Sequence, residues 1–383
     1  MGEVVFLRKR RGSVLGEQGE MFMKILTQFL GLGIWGVICF AGALLLGVGL
    51  VGAEKAFSAS PGHQSPFKGS EITFAPSIQA MVTTTKGVLY AGSFGMGIFR
   101  SDNRGASWET ANTGLGDRFI LCLGADTDGT VYAGTVRGGV FRTKRDGKSW
   151  ESIGQGLKRA EVKSLLIHPS GIYAGTGRGV YRWIEKKHHW VVVAEGLDQV
   201  LVSSVAMLEG HTLLAGTAGK GLFRIDPTNP RTQKWTMAGE RFVDPKERLT
   251  HKFIRIVAVG NDQRLYVGTQ DGGIFTSVDG GNSWHPIGRS LPNDSIRSIV
   301  PTDLGLLVAT GRGIFKTIGQ DGTWIPLNEG LTELAIQVLI VSNQGLFYAG
   351  TSAGAFRSED QGEHWVNISG GLGTQRSMPR PYF

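Results

Sequence analysis

The element Tyr-Ala-Gly-Thr, or a close variant of it, returns seven times along this chain, and no other feature limits the fold as much. Aligning on its first residue gives Tyr90, Tyr132, Tyr173, Leu214, Tyr266, Val308 and Tyr348, at intervals of 42, 41, 41, 52, 42 and 40 residues. Two further markers keep the same register. An apolar-aromatic step follows at Ile98-Phe99, Val140-Phe141, Val180-Tyr181, Leu222-Phe223, Ile274-Phe275, Ile314-Phe315 and Ala355-Phe356. Nine residues later comes Trp108, Trp150, Trp190, Trp284, Trp324 or Trp365, with Trp235 at twelve in the fourth copy.

Within a copy, short runs such as Val162 to His168, Ile172 to Thr176, Val180 to Trp183 and Trp190 to Ala194 are separated by turn residues, which reads as antiparallel sheet. One four-stranded sheet cannot bury both faces until other copies stack on it, and a period near 40 with four strands per copy is the pattern of a propeller blade. The expectation is an all-β protein, a seven-bladed β-propeller over residues 76–373, preceded by an N-terminal transmembrane or signal helix. A β-helix has shorter coils, and a β-sandwich does not repeat seven times. The 58 glycines are roughly twice the ~7% of an average chain, but they occupy fixed places in the repeat and so mark turns.

Residues 1–28 form a basic segment with Arg8, Lys9, Arg10 and Arg11, followed by an uncharged run from Phe29 to Ala53. At about 1.5 Å per residue such a helix crosses the ~30 Å core of a bilayer. The positive charges precede it, which keeps 1–28 cytoplasmic and sends the rest across. Residues 29–53 are thus expected to be a transmembrane anchor or, with Val51-Gly52-Ala53 as the cleavage point, a signal sequence. Either way the propeller works on the extracytoplasmic side, in a periplasm, a lumen or the cell exterior. Residues 54–75 read as a linker and 374–383 as a tail.

The formal charge of +8 suits an acidic partner but lacks the dense basic stripe of a nucleic-acid binder. Two cysteines and eight scattered histidines offer neither a disulfide framework nor metal-ligand spacing, so no metal and no cofactor is expected.

The turns before the tryptophans carry a family resemblance. Ser101-Asp-Asn103-Arg-Gly105-Ala-Ser107-Trp108, Ser277-Val-Asp279-Gly-Gly281-Asn-Ser283-Trp284 and Ser358-Glu-Asp360-Gln-Gly362-Glu-His364-Trp365 resemble the Asp-box, or BNR repeat. There Ser and Asp bond backbone N–H groups of a tight hairpin, Gly supplies positive φ, and Trp packs the turn onto the blade. The chain looks most like single seven-bladed propellers of the photosystem II stability/assembly factor type, which implies an exported, protein-binding scaffold. The repeats also resemble those of xyloglucanase-type glycoside hydrolases and sortilin-type receptors, which are larger.

Two functions compete. A protein or other acidic ligand would be bound through one basic face. The turns between second and third strands carry Arg137, Arg178, Lys220 and Arg312, and the first residues of the inner strands align as Gln79, Leu121, Lys163, Ser203, Arg255, Arg297 and Gln337. Together Arg137, Lys163, Arg178, Lys220, Arg255, Arg297 and Arg312 form the candidate binding set, several of them brought toward a central opening from different blades. The alternative is a glycoside hydrolase with two carboxylates on that face. Its candidates are Asp117, Asp198, Asp244, Glu247, Glu161, Glu333, Asp271 and Asp294, with Asp271 and Asp294 first. A sialidase-like nucleophile is excluded because five of the seven tyrosines are strand markers, Tyr181 replaces the repeat Phe and Tyr382 lies in the tail.

Overall fold

The computed structural model describes residues 75–373 except 144–146, 158, 230, 239–251, 288–290, 293–294, 304 and 319–322. The readings for 1–28, 29–53, most of the linker, and the tail 374–383 lie outside these residues. Among the described residues no helix is long and apolar enough to cross a membrane.

Seven four-stranded antiparallel sheets follow one another, each made of four consecutive strands in sequential order. The innermost strands are Ile78–Thr83, Ile120–Ala125, Val162–His168, Val202–Leu208, Ile254–Val259, Ile296–Thr302 and Ile336–Val341, which begin blades 1 to 7. One 3-10 turn, Glu185–Lys187, is the sole described helical element. The inner strand of blade 1 packs on that of blade 7, which closes the ring. Among the described residues no strand is shared across the closure. The first and last blades are each complete in themselves.

The hydrophobic core is divided among the seams between blades. Each of seven clusters of buried residues takes its members from two neighbouring blades, for example Tyr90, Ile98 and Ala111 of blade 1 with Ile120, Phe141 and Trp150 of blade 2. A flat sheet gains little until its neighbour arrives, so burial and ring assembly are one event. The Gly of the Tyr-Ala-Gly-Thr element serves this contact. A Cβ on Gly92 would stand 2.5 Å from Ile120, one on Gly268 2.5 Å from Ile296, and one on Gly350 2.7 Å from Ile78, so a side chain there would expel the next blade's inner strand.

The tryptophans stitch the same seams. The indole N–H of Trp150 donates to the Ala111 carbonyl (2.8 Å), that of Trp190 to Ile153 (2.7 Å), that of Trp324 to Ile287 (3.0 Å) and that of Trp365 to Leu327 (2.9 Å). Each reaches into the preceding blade, and Trp108 closes the circle on Ile368 of blade 7 at 2.7 Å. Both seams of blade 4, the copy with the long interval, depart from this. Trp235 has no partner for its buried Nε1, and Trp284 donates within its own hairpin to Gly281 (3.1 Å).

One alignment needs correction. In blade 6 Thr310 pairs with Ile296 as Thr135 pairs with Ile120 in blade 2, so Leu307, not Val308, is the counterpart of the repeat Tyr. Ala309 stands in the glycine position there, and the sequence marker slips by one residue because three apolar residues run together.

Candidate functional site

Every inner strand carries the same irregularity. Ile78 pairs with Ser93 and Ala80 with Gly92, leaving Gln79 without an opposite residue. The same shift leaves out Leu121, Lys163, Ser203, Arg255, Arg297 and Gln337. These are β-bulges, in which the extra residue is swung out of the ladder and its side chain re-aimed. Here all seven line one cavity of about 460 Å³ on the ring axis. The aligned positions of the sequence thus become a ring at the mouth of the central channel, and the bulge explains why.

The ring is charged on one side. Lys163 is held by Glu161 at 2.6 Å, so its charge is balanced in place. Arg255 is open to solvent at the channel mouth but flanked by the channel walls, and it forms no ion pair among the described residues. Arg297 donates through Nη1 to the Ile336 carbonyl (3.1 Å), and its buried Nε has no partner. Burial within the channel lowers the pKa of both guanidiniums, and the charge of Arg255 lowers that of Arg297 further. Both remain cationic, since arginine starts so high. Cys122 also lines the channel, but burial pushes its thiol up to about 12, against weaker lowering by Gly134 and Lys163, which leaves it inert.

Arg137, Arg178, Lys220 and Arg312 do not join the channel lining. Their exposed side chains stand on turns at the same end of the blades. The register shows why they share that end: the turn residues Val136, Gly177 and Ala218 donate N–H bonds to Phe119, Glu161 and Leu201, which precede the inner strands. Each turn is latched by a fully buried Ser or Thr ending the second strand. Thr135 Oγ1 donates to the Gly139 carbonyl and accepts from the Gly138 N–H, both at 3.0 Å. Ser93, Thr176, Thr217, Thr269, Thr310 and Thr351 do likewise. The sequence shows this residue seven times without showing its bond. The same end also carries an exposed aromatic pair that repeat alignment cannot find, Phe94 and Phe119, edge to face at 5.0 Å.

The hairpins between third and fourth strands lie at the opposite end. Ser277 Oγ donates to Asp279 Oδ1 (2.7 Å) and accepts from the Gly281 N–H (2.9 Å), while Asp279 accepts from Ser283 N–H and Oγ. Ser101 with Asn103 and Gly105, and Ser358 with Asp360 and Gly362, repeat the bonds. Burial alone would raise the pKa of Asp279, but hydrogen bonds from Ser283, Ser277 and Asn282 outweigh it and lower the value. The backbone N–H of His364, with Ser358 and the His364 ring, lowers Asp360 to about 2. Trp108, Trp284 and Trp365 anchor these three turns.

The carboxylates of the hydrolase alternative are dispersed. Asp117 accepts the N–H groups of Phe119, Arg137 and Gly138, and Glu333 that of Ala335. Glu161 pairs with Lys163. Asp271 is exposed on the turn of blade 5. Asp244, Glu247 and Asp294 lie outside the described residues. Among the described residues no carboxylate lines the channel.

No family model and no curated protein matches the chain. Solved structures do. The extracellular domain of BT3049 from B. thetaiotaomicron, whose name places it in a hybrid two component system, is similar with a TM-score of 0.62 at 20% identity, over 75% of this chain and 39% of that one. An ancestral GH74 enzyme gives 0.61 at 13%, over 77% and 47%, and the WD40 propeller domain of Doa1 gives 0.56 at 14%, over 76% and 96%. The chain spans less than half the length of the first two. At these identities the likeness establishes the propeller fold.

Proposed function

We propose that this chain is an exported, membrane-tethered propeller without chemistry of its own, a scaffold that holds an acidic partner, foremost a protein, against the channel-bearing end. The observation that carries this is the ring of seven bulges, which repeats a device for presenting side chains and sets Arg255 and Arg297 on the cavity without an ion pair among the described residues. A positive concavity with fixed walls attracts and orients anionic groups. The basic turns Arg137, Arg178, Lys220 and Arg312 extend the same sign of charge outward. The Asp-box resemblance of the hairpins supports a kinship with protein-binding propellers of the assembly-factor type. The apolar run 29–53 supports export, as does the name of the BT3049 domain. The GH74 likeness would favour a hydrolase only with two carboxylates flanking a common cleft, and among the described residues the channel has none.

The test is a pull-down from membranes with the full chain and with a variant carrying Lys163→Glu, Arg255→Glu and Arg297→Glu. Partners should be lost from the variant, and their yield on the native chain should fall with added salt. Equal recovery by both chains would remove this reading.

A further inference from the structure

The mouth of the channel is divided. Arg255, Arg297 and Gln337 stand side by side on blades 5, 6 and 7. Gln337 has no hydrogen-bond partner among the described residues, so its amide is free to join the two guanidiniums in donating to an anion. Across the ring, blade 2 contributes Leu121, with the exposed Phe94 and Phe119 beside it. Deeper in, the wall is formed by Met81, Leu123, Leu165, Ile256 and Val338. One side of the cavity offers donors to an anion, and apolar side chains stand opposite and below it, with Gln79, Lys163 and Ser203 between.

Of the hydroxyls that also face the channel, Ser164 accepts from the Val205 N–H (3.1 Å), Ser204 from the Val257 N–H (3.0 Å), and Ser298 donates to the Leu339 carbonyl (3.1 Å), so each is oriented by the wall, while the two guanidiniums supply the only full positive charges without an ion pair on the lining among the described residues. The cavity of about 460 Å³ falls in the range of small-molecule sites. Planar guanidinium forks match a carboxylate, and an anion between Arg255 and Arg297 would relieve their mutual repulsion.

We infer that the channel is a binding site for a short aliphatic monocarboxylate, its head between Arg255 and Arg297 and its carbon chain against the apolar wall. The inference rests on the reading of the bulge ring as the ligand-facing surface, and it adds the class of small molecule that surface takes.

Calorimetric titration of the full chain in detergent with hexanoate, acetate and hexanol tests it, with Arg255→Gln titrated in the same detergent. Arg255 has no partner to lose, so this variant keeps the fold, which the thermal unfolding midpoint verifies. Hexanoate binds saturably, and acetate and hexanol bind at least roughly tenfold more weakly, because one lacks the buried methylenes and the other the charge. Arg255→Gln weakens hexanoate by about tenfold. Absence of hexanoate binding, equal binding of acetate, or an unchanged affinity in the variant overturns the assignment. The two readings fail separately. Charge-dependent partner recovery without hexanoate binding leaves the scaffold and removes the carboxylate site. Arg255-dependent hexanoate binding with partner recovery unchanged does the reverse.

Discussion

The two ends of this propeller are cut from the same seven repeats and treat repetition in opposite ways. At the hairpin end, in blades 1, 5 and 7, the side chains recur: Ser101, Ser277 and Ser358 accept from a glycine N–H, and Asn103, Asp279 and Asp360 gather the rest of the turn. At the channel end the backbone recurs. A bulge and a buried Ser or Thr latch appear in every blade, while the bulged residue runs Gln, Leu, Lys, Ser, Arg, Arg, Gln. Where a side chain holds the turn it cannot vary without cost. Where a bulge and a separate latch residue set the shape, the bulged side chain is released to meet something else. The proposed recognition surface therefore falls where geometry is constant and chemistry is not.

The comparison is open to direct attack by substitution. The largest effect is expected from Trp365→Ala at the hairpin end, which removes a buried indole and its bond to Leu327 and should lower unfolding free energy by about 3–5 kcal/mol, seen as an earlier urea midpoint. Next comes Ser277→Ala, which leaves the buried Gly281 N–H without an acceptor and should cost about 1–3 kcal/mol. At the channel end, Arg255→Gln should move stability by no more than about 0.5 kcal/mol and Arg297→Gln by about 1 kcal/mol through its bond to the Ile336 carbonyl, while the two together weaken partner recovery. A large loss of stability in this pair would erase the distinction between the ends.

The smallest effect is a pH dependence of the blade 7 hairpin. The folded pKa of Asp360, about 2, lies below the ordinary 3.8 of an aspartate, so its contribution is complete above 3.8 and fades as pH falls from there toward 2. Asp360, then Glu329, raises the pKa of His364 above 6.5. The contribution of His364 is therefore full below 6.5 and fades as pH rises through the higher folded value. An NMR titration of the His364 ring should place its midpoint above 6.5, and Asp360→Asn should bring it down.

The architecture was legible because three markers recur in register, and stacking leaves a 40-residue β repeat few other folds. The ring of first residues was legible too, as a column in the alignment from Gln79 to Gln337. Its cause was not. A bulge depends on which pairs of atoms bond across a ladder, and the side-chain pattern of Ile254-Arg255-Ile256 does not record the skipped partner. The same holds for Thr135, visible as a repeated letter but not as a latch. Which of the seven basic residues reach the channel was not legible, because a shared end of the blade does not fix distance from the axis: Lys163, Arg255 and Arg297 line it, while Arg137, Arg178, Lys220 and Arg312 sit on turns outside its lining. The broken stitches at Trp235 and Trp284 follow from the length of the fourth copy, which the sequence shows without showing which bonds it takes away.

Closure without a shared strand has a mechanical consequence. The chain enters the ring at Pro76, whose carbonyl accepts the Gly354 N–H of the last blade at 3.0 Å, and Trp108 grips Ile368 across the same gap. No covalent path spans this joint, whereas each of the other six is bridged by the chain itself. Tension applied along the chain ahead of Ala75 reaches this joint first, where hydrogen bonds and side-chain packing alone resist it.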